Sequence, residues 1–108
     1  MVQDSSRTQQ AEIIVQVDSW MAELIPPFLK HRREDIASLL NYLQAGNFEA
    51  VWDLGHDIKG TGAVYGFVGL ARIGQSIEQA AQERGSTDLE ALAEELSNYL
   101  DRVKFVYS

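Results

Sequence analysis

The chain has 108 residues, no cysteine, 45% apolar residues and a net charge of −7 at pH 7. Disulfides and Cys-ligated metals are excluded by the absence of thiols, and the acidic balance argues against nucleic-acid binding, which needs clustered Lys and Arg. No apolar run approaches the roughly 20 residues of a membrane span, and the leader that follows Met1 lacks the basic and apolar regions of a signal peptide. We therefore expect one small, complete cytoplasmic protein that does not enter a membrane.

The first part of the chain is predicted to be a flexible tail over residues 1–12, followed by a bundle domain over 13–108. Apolar residues between Ile13 and Leu24 recur at helical spacing, which predicts a short helix that ends before Pro26. A second helix then begins near Pro26, because proline suits a first helical turn. The basic run Lys30-His31-Arg32-Arg33 is interpreted as a solvated helix face.

Further stop and start signals divide the rest of the chain into three helices. Gly46 is predicted to end the second helix and Asn47 to cap the next, which runs from Phe48 to about Val64. Gly66 stands where a left-handed helix end belongs. Another helix starts near Phe67 and closes at Gly85, and Thr87 with Glu90 forms a predicted capping box for the last one.

No segment shows the alternation of a strand, so the predicted fold is all-α. Four amphipathic helices joined by short connections favour antiparallel neighbours. We therefore predict an up-down-up-down four-helix bundle with a short extra N-terminal helix.

The most informative stretch is Gly55-His56-Asp57-Ile58-Lys59-Gly60-Thr61-Gly62 in the middle of the third helix. Glycine in a helix interior costs about 0.5–1 kcal/mol relative to alanine, so three glycines here require either a very close neighbouring helix or access to the imidazole. If the third and fourth helices form an antiparallel hairpin about Gly66, three pairs of residues face each other: His56 and Glu78, Lys59 and Gln75, and Gly60 and Gly74.

This pairing has a chemical consequence at His56. A hydrogen bond from Nδ1 to Glu78 fixes the imidazole tautomer and leaves Nε2 as an oriented nucleophile. Lys59 shares the helix face of His56 and can lie beside an anion attached to Nε2. The nearby Asp53 and Asp57 would not attract free phosphate, which suggests that a phosphoryl group arrives on a protein.

The residues His56-Asp57-Ile58-Lys59-Gly60, with Gly66, Leu70 and Ile77-Glu78, resemble the histidine-containing phosphotransfer (HPt) domain family over roughly residues 17–106. The resemblance implies that His56 accepts a phosphoryl group and exchanges it with an aspartate of a response-regulator receiver domain, with a hybrid sensor histidine kinase as a further partner. It also implies a phosphorelay protein without kinase activity of its own, with no bound cofactor and with Mg²⁺ on the receiver. A monomer is expected.

The same resemblance assigns roles to individual residues. Lys59 stabilises the phosphate, Glu78 orients the imidazole, and Gln75 stands at a position where the family varies, as a candidate supporting residue. Gly60 and Gly66 match small positions of the family. Together with Gly74 they are the predicted close-approach glycines.

Two other functions stay open at this point. One is a helical adaptor that binds or sequesters a receiver while His56 stays unmodified. The other is a metal or cofactor bundle, for which two histidines, no cysteine and no Glu-x-x-His pair offer too few ligands.

Some side chains near the motif have more than one interpretation. Trp52 fits either a docking rim or the core. His31 is expected to be solvent-exposed, and Tyr65 and Phe67 to pack at the helix end. Because the reacting nitrogen must be unprotonated and free histidine titrates near about pH 6.5, phosphoryl acceptance should fall in mild acid.

Overall fold

A computed structural model describes residues 11–107 of the chain. A strand and a short 3₁₀ turn precede four helices, and a second strand follows them: β1 (Ile13–Val17), the 3₁₀ turn (Ser19–Met21), α1 (Ile25–Gln44), α2 (Phe48–Val64), α3 (Val68–Gln82), α4 (Ser86–Arg102) and β2 (Val103–Tyr107). Each helix packs against the next, and α4 returns to α1, which closes the bundle. The predicted four-helix bundle is therefore confirmed.

The two strands were not predicted. β1 and β2 pair in parallel, with Ile13 opposite Val103 and Val17 opposite Tyr107. The expectation of a helix from Ile13 to Leu24 is thus wrong, and the 3₁₀ turn is the only helical remnant there. β-branched residues favour the extended backbone of β1. Apart from residues 11 and 12, the predicted tail lies outside the described residues.

The helix ends follow the predicted signals at two connections and depart from them at the third. The Asn47 side chain accepts a hydrogen bond from the Ala50 backbone N–H at 3.1 Å, and Gly46 and Gly66 have φ of 70° and 83°. After α3, however, Arg84 takes the left-handed conformation with φ of 56°, while Gly85 precedes α4 directly. Because α4 already begins at Ser86, Thr87 lies inside the helix and the predicted capping box is wrong.

The core is built from one buried stripe on each helix and is extended by the strands. Val17 and Val103 are buried with the helical residues, so the sheet covers one end of the bundle. At this end the Phe28 ring packs on Tyr65 and Phe67, with centroids 4.6 and 5.5 Å apart, as expected for helix-end packing. None of the helices described in residues 11–107 combines the length and the hydropathy that crossing a membrane requires.

Candidate functional site

The site is positioned by an unusually close contact between α2 and α3. A Cβ atom added at Gly74 would overlap the backbone nitrogen of Lys59, and one at Gly55 would lie 2.8 Å from the backbone nitrogen of Glu78. Farther along, a Cβ at Gly62 would lie 2.9 Å from the backbone nitrogen of Ala71. The two backbones are therefore in direct contact, which sets how far side chains must reach across the pair.

The glycines that allow this contact are only partly those predicted. Gly74 does face α2, but Gly55 is its partner, and the expected close approach of Gly60 is wrong because a Cβ there would meet nothing within 4 Å. Gly60 follows the buried Ile58 by two residues, which is more than half a helical turn, so it lies on the exposed side of α2. Gly66 also has open space around it and is a turn glycine.

Three side chains meet where the two helices touch. His56 Nδ1 lies 2.6 Å from Glu78 Oε2, and Lys59 Nζ donates to Glu78 Oε1 at 2.8 Å. The predicted contact between His56 and Glu78 is therefore present, and the carboxylate also pairs with Lys59. The Lys59 ammonium and the imidazole, as hydrogen-bond donors, hold the pKa of Glu78 below its usual value.

This arrangement determines which imidazole nitrogen is available. Because the Glu78 carboxylate can only accept a hydrogen bond, Nδ1 carries the proton and donates it. Nε2 then holds the lone pair of the neutral ring, and no hydrogen bond to it comes from residues 11–107. The His56 side chain is 60% exposed, whereas that of Glu78 is 11% exposed. The site thus presents an oriented, accessible nitrogen that is anchored from inside the bundle.

The comparison with known families bears directly on this geometry. The family model described as Hpt domain matches residues 23–105, from just before α1 into β2. The chain belongs to the Hpt domain family. This membership confirms the resemblance and supports a phosphotransfer-type role in a phosphorelay, since the family consists of phosphocarriers and not of kinases. Searches of the curated proteins and of the solved structures returned no match.

In this Hpt domain Trp52 stacks on the imidazole, which neither interpretation of the tryptophan foresaw. The indole and the His56 ring have centroids 5.0 Å apart and planes inclined by 8°. Trp52 is 37% exposed and therefore is not a core residue. The four-residue spacing of Trp52 and His56 could have predicted this contact, because residues four apart on a helix are neighbours on its surface.

A second polar cluster, on the other side of α2, was also missed. Arg32 Nη2 lies 2.9 Å from Asp57 Oδ2, and Nη1 donates to Thr61 Oγ1 at 2.8 Å. Arg32 is only 2% exposed, so the interpretation of the basic run as a solvated face is wrong for this residue, although His31 and Arg33 are exposed. Arg32 therefore links α1 to α2 through Asp57, the residue that follows His56.

Asp35 completes this cluster on α1. Its Oδ2 lies 2.8 Å from Arg32 Nε, but the N–H is not aligned for a hydrogen bond. Burial therefore outweighs the attraction of Arg32 and raises the pKa of Asp35 to about 6. The sequence signal was the helical spacing of the residues that α1 buries: Ile25, Phe28, Arg32, Asp35 and Leu39.

The remaining candidate, Gln75, is exposed and lines a groove between α3 and α4 together with Gln79 and Leu92. Within the described part of the chain it has no hydrogen bond to His56. In the same residues no group of three or more His, Asp or Glu side chains is placed to hold a metal ion.

Proposed function

We propose that this Hpt domain accepts a phosphoryl group on Nε2 of His56 and exchanges it with an aspartate of a response-regulator receiver domain. The observation that carries the proposal is the His56 ring, which is open to solvent while its Nδ1 is held by Glu78. Phosphoryl transfer requires an in-line approach to an unprotonated nitrogen. An imidazole with one nitrogen anchored and the other free meets that requirement.

The transfer is a displacement at phosphorus. The Nε2 lone pair attacks the phosphoryl group of the receiver's aspartyl phosphate, the P–N bond forms, and the P–O bond breaks with its electrons going to the receiver carboxylate. Positive charge develops on the ring, and Glu78 stabilises it through the Nδ1 hydrogen bond. The reverse reaction returns the phosphoryl group to an aspartate. We expect the Mg²⁺ of this reaction on the receiver.

Lys59 is the cation closest to this chemistry along α2. Before transfer its ammonium pairs with Glu78, and one turn of helix separates it from His56. When the phosphoryl group arrives, its negative charge competes with Glu78 for the ammonium, because a lysine side chain is a flexible point charge. Lys59 therefore stabilises the phosphoryl group after a change of rotamer.

The exposed side of α2 suits a protein donor better than free phosphate. Gly60 carries no side chain. Beyond it, at the end of α2 and the start of α3, stand three exposed apolar residues: Ala63, Val64 and Val68. The exposed Asp53, which precedes His56 by one turn, adds negative charge beside it and disfavours a small anion, whereas Asp57 adds less because Arg32 pairs with it. A receiver domain, free or as part of a hybrid sensor histidine kinase, is the proposed partner of a monomeric, cytoplasmic protein.

The test is label transfer from a phosphorylated receiver. The wild-type chain should take up acid-labile, base-stable phosphate, and His56→Gln should take up none. The matched control is His31→Gln, since His31 is the other histidine and its side chain is 63% exposed. Label on His56→Gln at the wild-type level would sink the proposal. If the chain binds the receiver but takes no label, it is an adaptor without chemistry.

A further inference from the structure

The indole of Trp52 touches the reacting ring without taking part in its hydrogen bonds. It lies one turn before His56 on α2 and stacks nearly parallel to the imidazole. We propose that Trp52 is a positioning residue, which fixes the plane of the His56 ring so that Nε2 points toward the incoming phosphoryl group. This inference rests on the proposed function of His56.

A single hydrogen bond does not hold an imidazole rigidly. The bond from Nδ1 to Glu78 fixes one direction in the ring plane but allows the ring to rock about the line between the two atoms. A stacked aromatic partner restrains this rocking, because offset-stacked rings attract each other at centroid separations of 4.5–7 Å. The observed separation of 5.0 Å falls in that range. Hydrogen bond and stack together define the direction of the Nε2 lone pair.

The indole lies at a groove between α2 and α3. Trp52 lines a groove between α2 and α3 with Phe48, Ala81 and Arg84. The Arg84 guanidinium, which also lines this groove, lies 5.2 Å from the centroid of the Phe48 ring. Trp52 is thus only partly exposed, and residues of both helices line the groove beside it.

A docking role for Trp52 makes a different kinetic prediction. An indole that only contacts the receiver would change the receiver concentration needed for half-maximal transfer. A positioning indole changes the maximal rate, because misalignment of the reacting atoms acts on the chemical step. The two roles can therefore be separated in one experiment.

The experiment measures single-turnover transfer from a phosphorylated receiver to Trp52→Ala and Trp52→Phe over a range of receiver concentrations. We expect Trp52→Ala to lower the maximal rate roughly threefold to tenfold, the range that one aromatic contact is worth, with little change in the half-saturating concentration. Trp52→Phe should restore most of the rate. The matched control is Tyr42→Ala, because Tyr42 on α1 is also 37% exposed and no stack with His56 involves it in the described residues.

A spectroscopic measurement on the unphosphorylated chain accompanies the kinetics. The indole ring current should shift the His56 ring C–H resonances. These resonances should move toward ordinary positions fully in Trp52→Ala and only in part in Trp52→Phe, whose ring current is weaker, and should stay unchanged in Tyr42→Ala. A full maximal rate for Trp52→Ala, or a change confined to the half-saturating concentration, would overturn the positioning role alone. Failure of the proposed function is recognised separately, by label on His56→Gln.

Discussion

Asp35 and Glu78 are the two carboxylates that the bundle buries among residues 11–107, one on each side of α2. Asp35 faces Arg32 in the contact between α1 and α2, and burial raises its pKa to about 6. Glu78 lies in the contact between α2 and α3, where Lys59 and His56 donate to it and lower its pKa. Both side chains have little exposed surface, but burial is the largest cause of the shift at Asp35, whereas the hydrogen bond from Lys59 is the largest cause at Glu78.

The spacing of the helices explains why the donors differ. Glycines bring the α2 and α3 backbones into contact, so that two α2 side chains reach both oxygens of Glu78. Between α1 and α2 the long Arg32 side chain spans the gap, and it divides its donors among Asp35, Asp57 and Thr61. Arg32 and Asp35 are both buried, although their cluster reaches the surface at Asp57, while the Glu78 cluster opens at His56. We therefore expect the first to act on stability and the second on transfer.

The largest expected effect comes from breaking the buried pair of Arg32 and Asp35. Arg32→Ala leaves Asp35 buried without its cation, which should lower the free energy of unfolding by about 3–5 kcal/mol. The matched control is Arg33→Ala, because Arg33 pairs with Asp101 at the surface, where an ion pair is worth at most about 1 kcal/mol. Urea unfolding measures both variants. Equal losses in the two would show that Arg32 does not act through burial.

A smaller loss is expected from the glycine contact that builds the open cluster. Gly74→Ala places a methyl group against the Lys59 backbone and should lower stability by about 1–3 kcal/mol while it separates His56 from Glu78 and slows transfer. Gly60→Ala is the control, because its methyl group meets open space and alanine should stabilise the helix by about 0.5–1 kcal/mol. Unfolding changes of the same sign in both variants would contradict this account of the contact.

The two acids should also respond to pH in opposite directions. The raised pKa of Asp35 means that its contribution to stability is complete below its unfolded pKa of 3.8 and is lost as pH rises through about 6. Glu78 has a lowered pKa, so its contribution is present above its unfolded pKa of 4.5 and is lost as pH falls through the folded value. Of these two carboxyl groups, only Asp35 changes its contribution to stability between pH 4.5 and about pH 6.

Unfolding at a series of pH values in wild type and Asp35→Asn tests this difference. From pH 4.5 to 6.5 the wild type should lose stability relative to Asp35→Asn, by on the order of 1–2 kcal/mol. Histidine titration is common to both chains and cancels in the comparison. A wild-type advantage that grows with pH in this window would reverse the assigned direction of the Asp35 shift.

The sequence predicted those features that depend on local signals. The helices follow from apolar periodicity and from the stop signals at Gly46, Asn47 and Gly66. The contact between His56 and Glu78 followed from the hairpin, because a short turn between two long helices determines which residues lie at the same level. The position of the turn determines which residues of α2 and α3 lie at the same level, but not which side of α2 faces α3. For this reason the sequence predicts Gly60 at the contact, whereas Gly55 makes it.

Two of the features that were missed, strand β1 and the burial of Arg32, depend on partners far along the chain. A five-residue segment that is apolar at four positions fits either a helix or a strand, and what decides for β1 is pairing with β2 at the opposite end of the chain. Arg32 carries a charge on the buried stripe of α1, and the partners that justify its burial, Asp57 and Thr61, belong to α2. The sequence of α1 alone therefore does not show which residues of α2 pair with Arg32.

The smallest change in stability, with a clear change in transfer, is expected at Lys59. Its side chain is 38% exposed, so Lys59→Met should alter the free energy of unfolding by at most about 1 kcal/mol. Loss of the ammonium removes the cation beside the phosphoryl group, and since the site is open to water the transfer rate should fall only roughly tenfold. It also removes the strongest donor to Glu78, so the pKa of Glu78 should move upward in an NMR titration.

Lys59→Arg, which keeps the charge, should retain most of the transfer rate. Lys30→Met, on the exposed surface of α1, should change neither the transfer rate nor the pKa of Glu78. A rate unaffected by Lys59→Met, with the Glu78 pKa shifted, would mean that Lys59 serves the carboxylate and not the phosphoryl group.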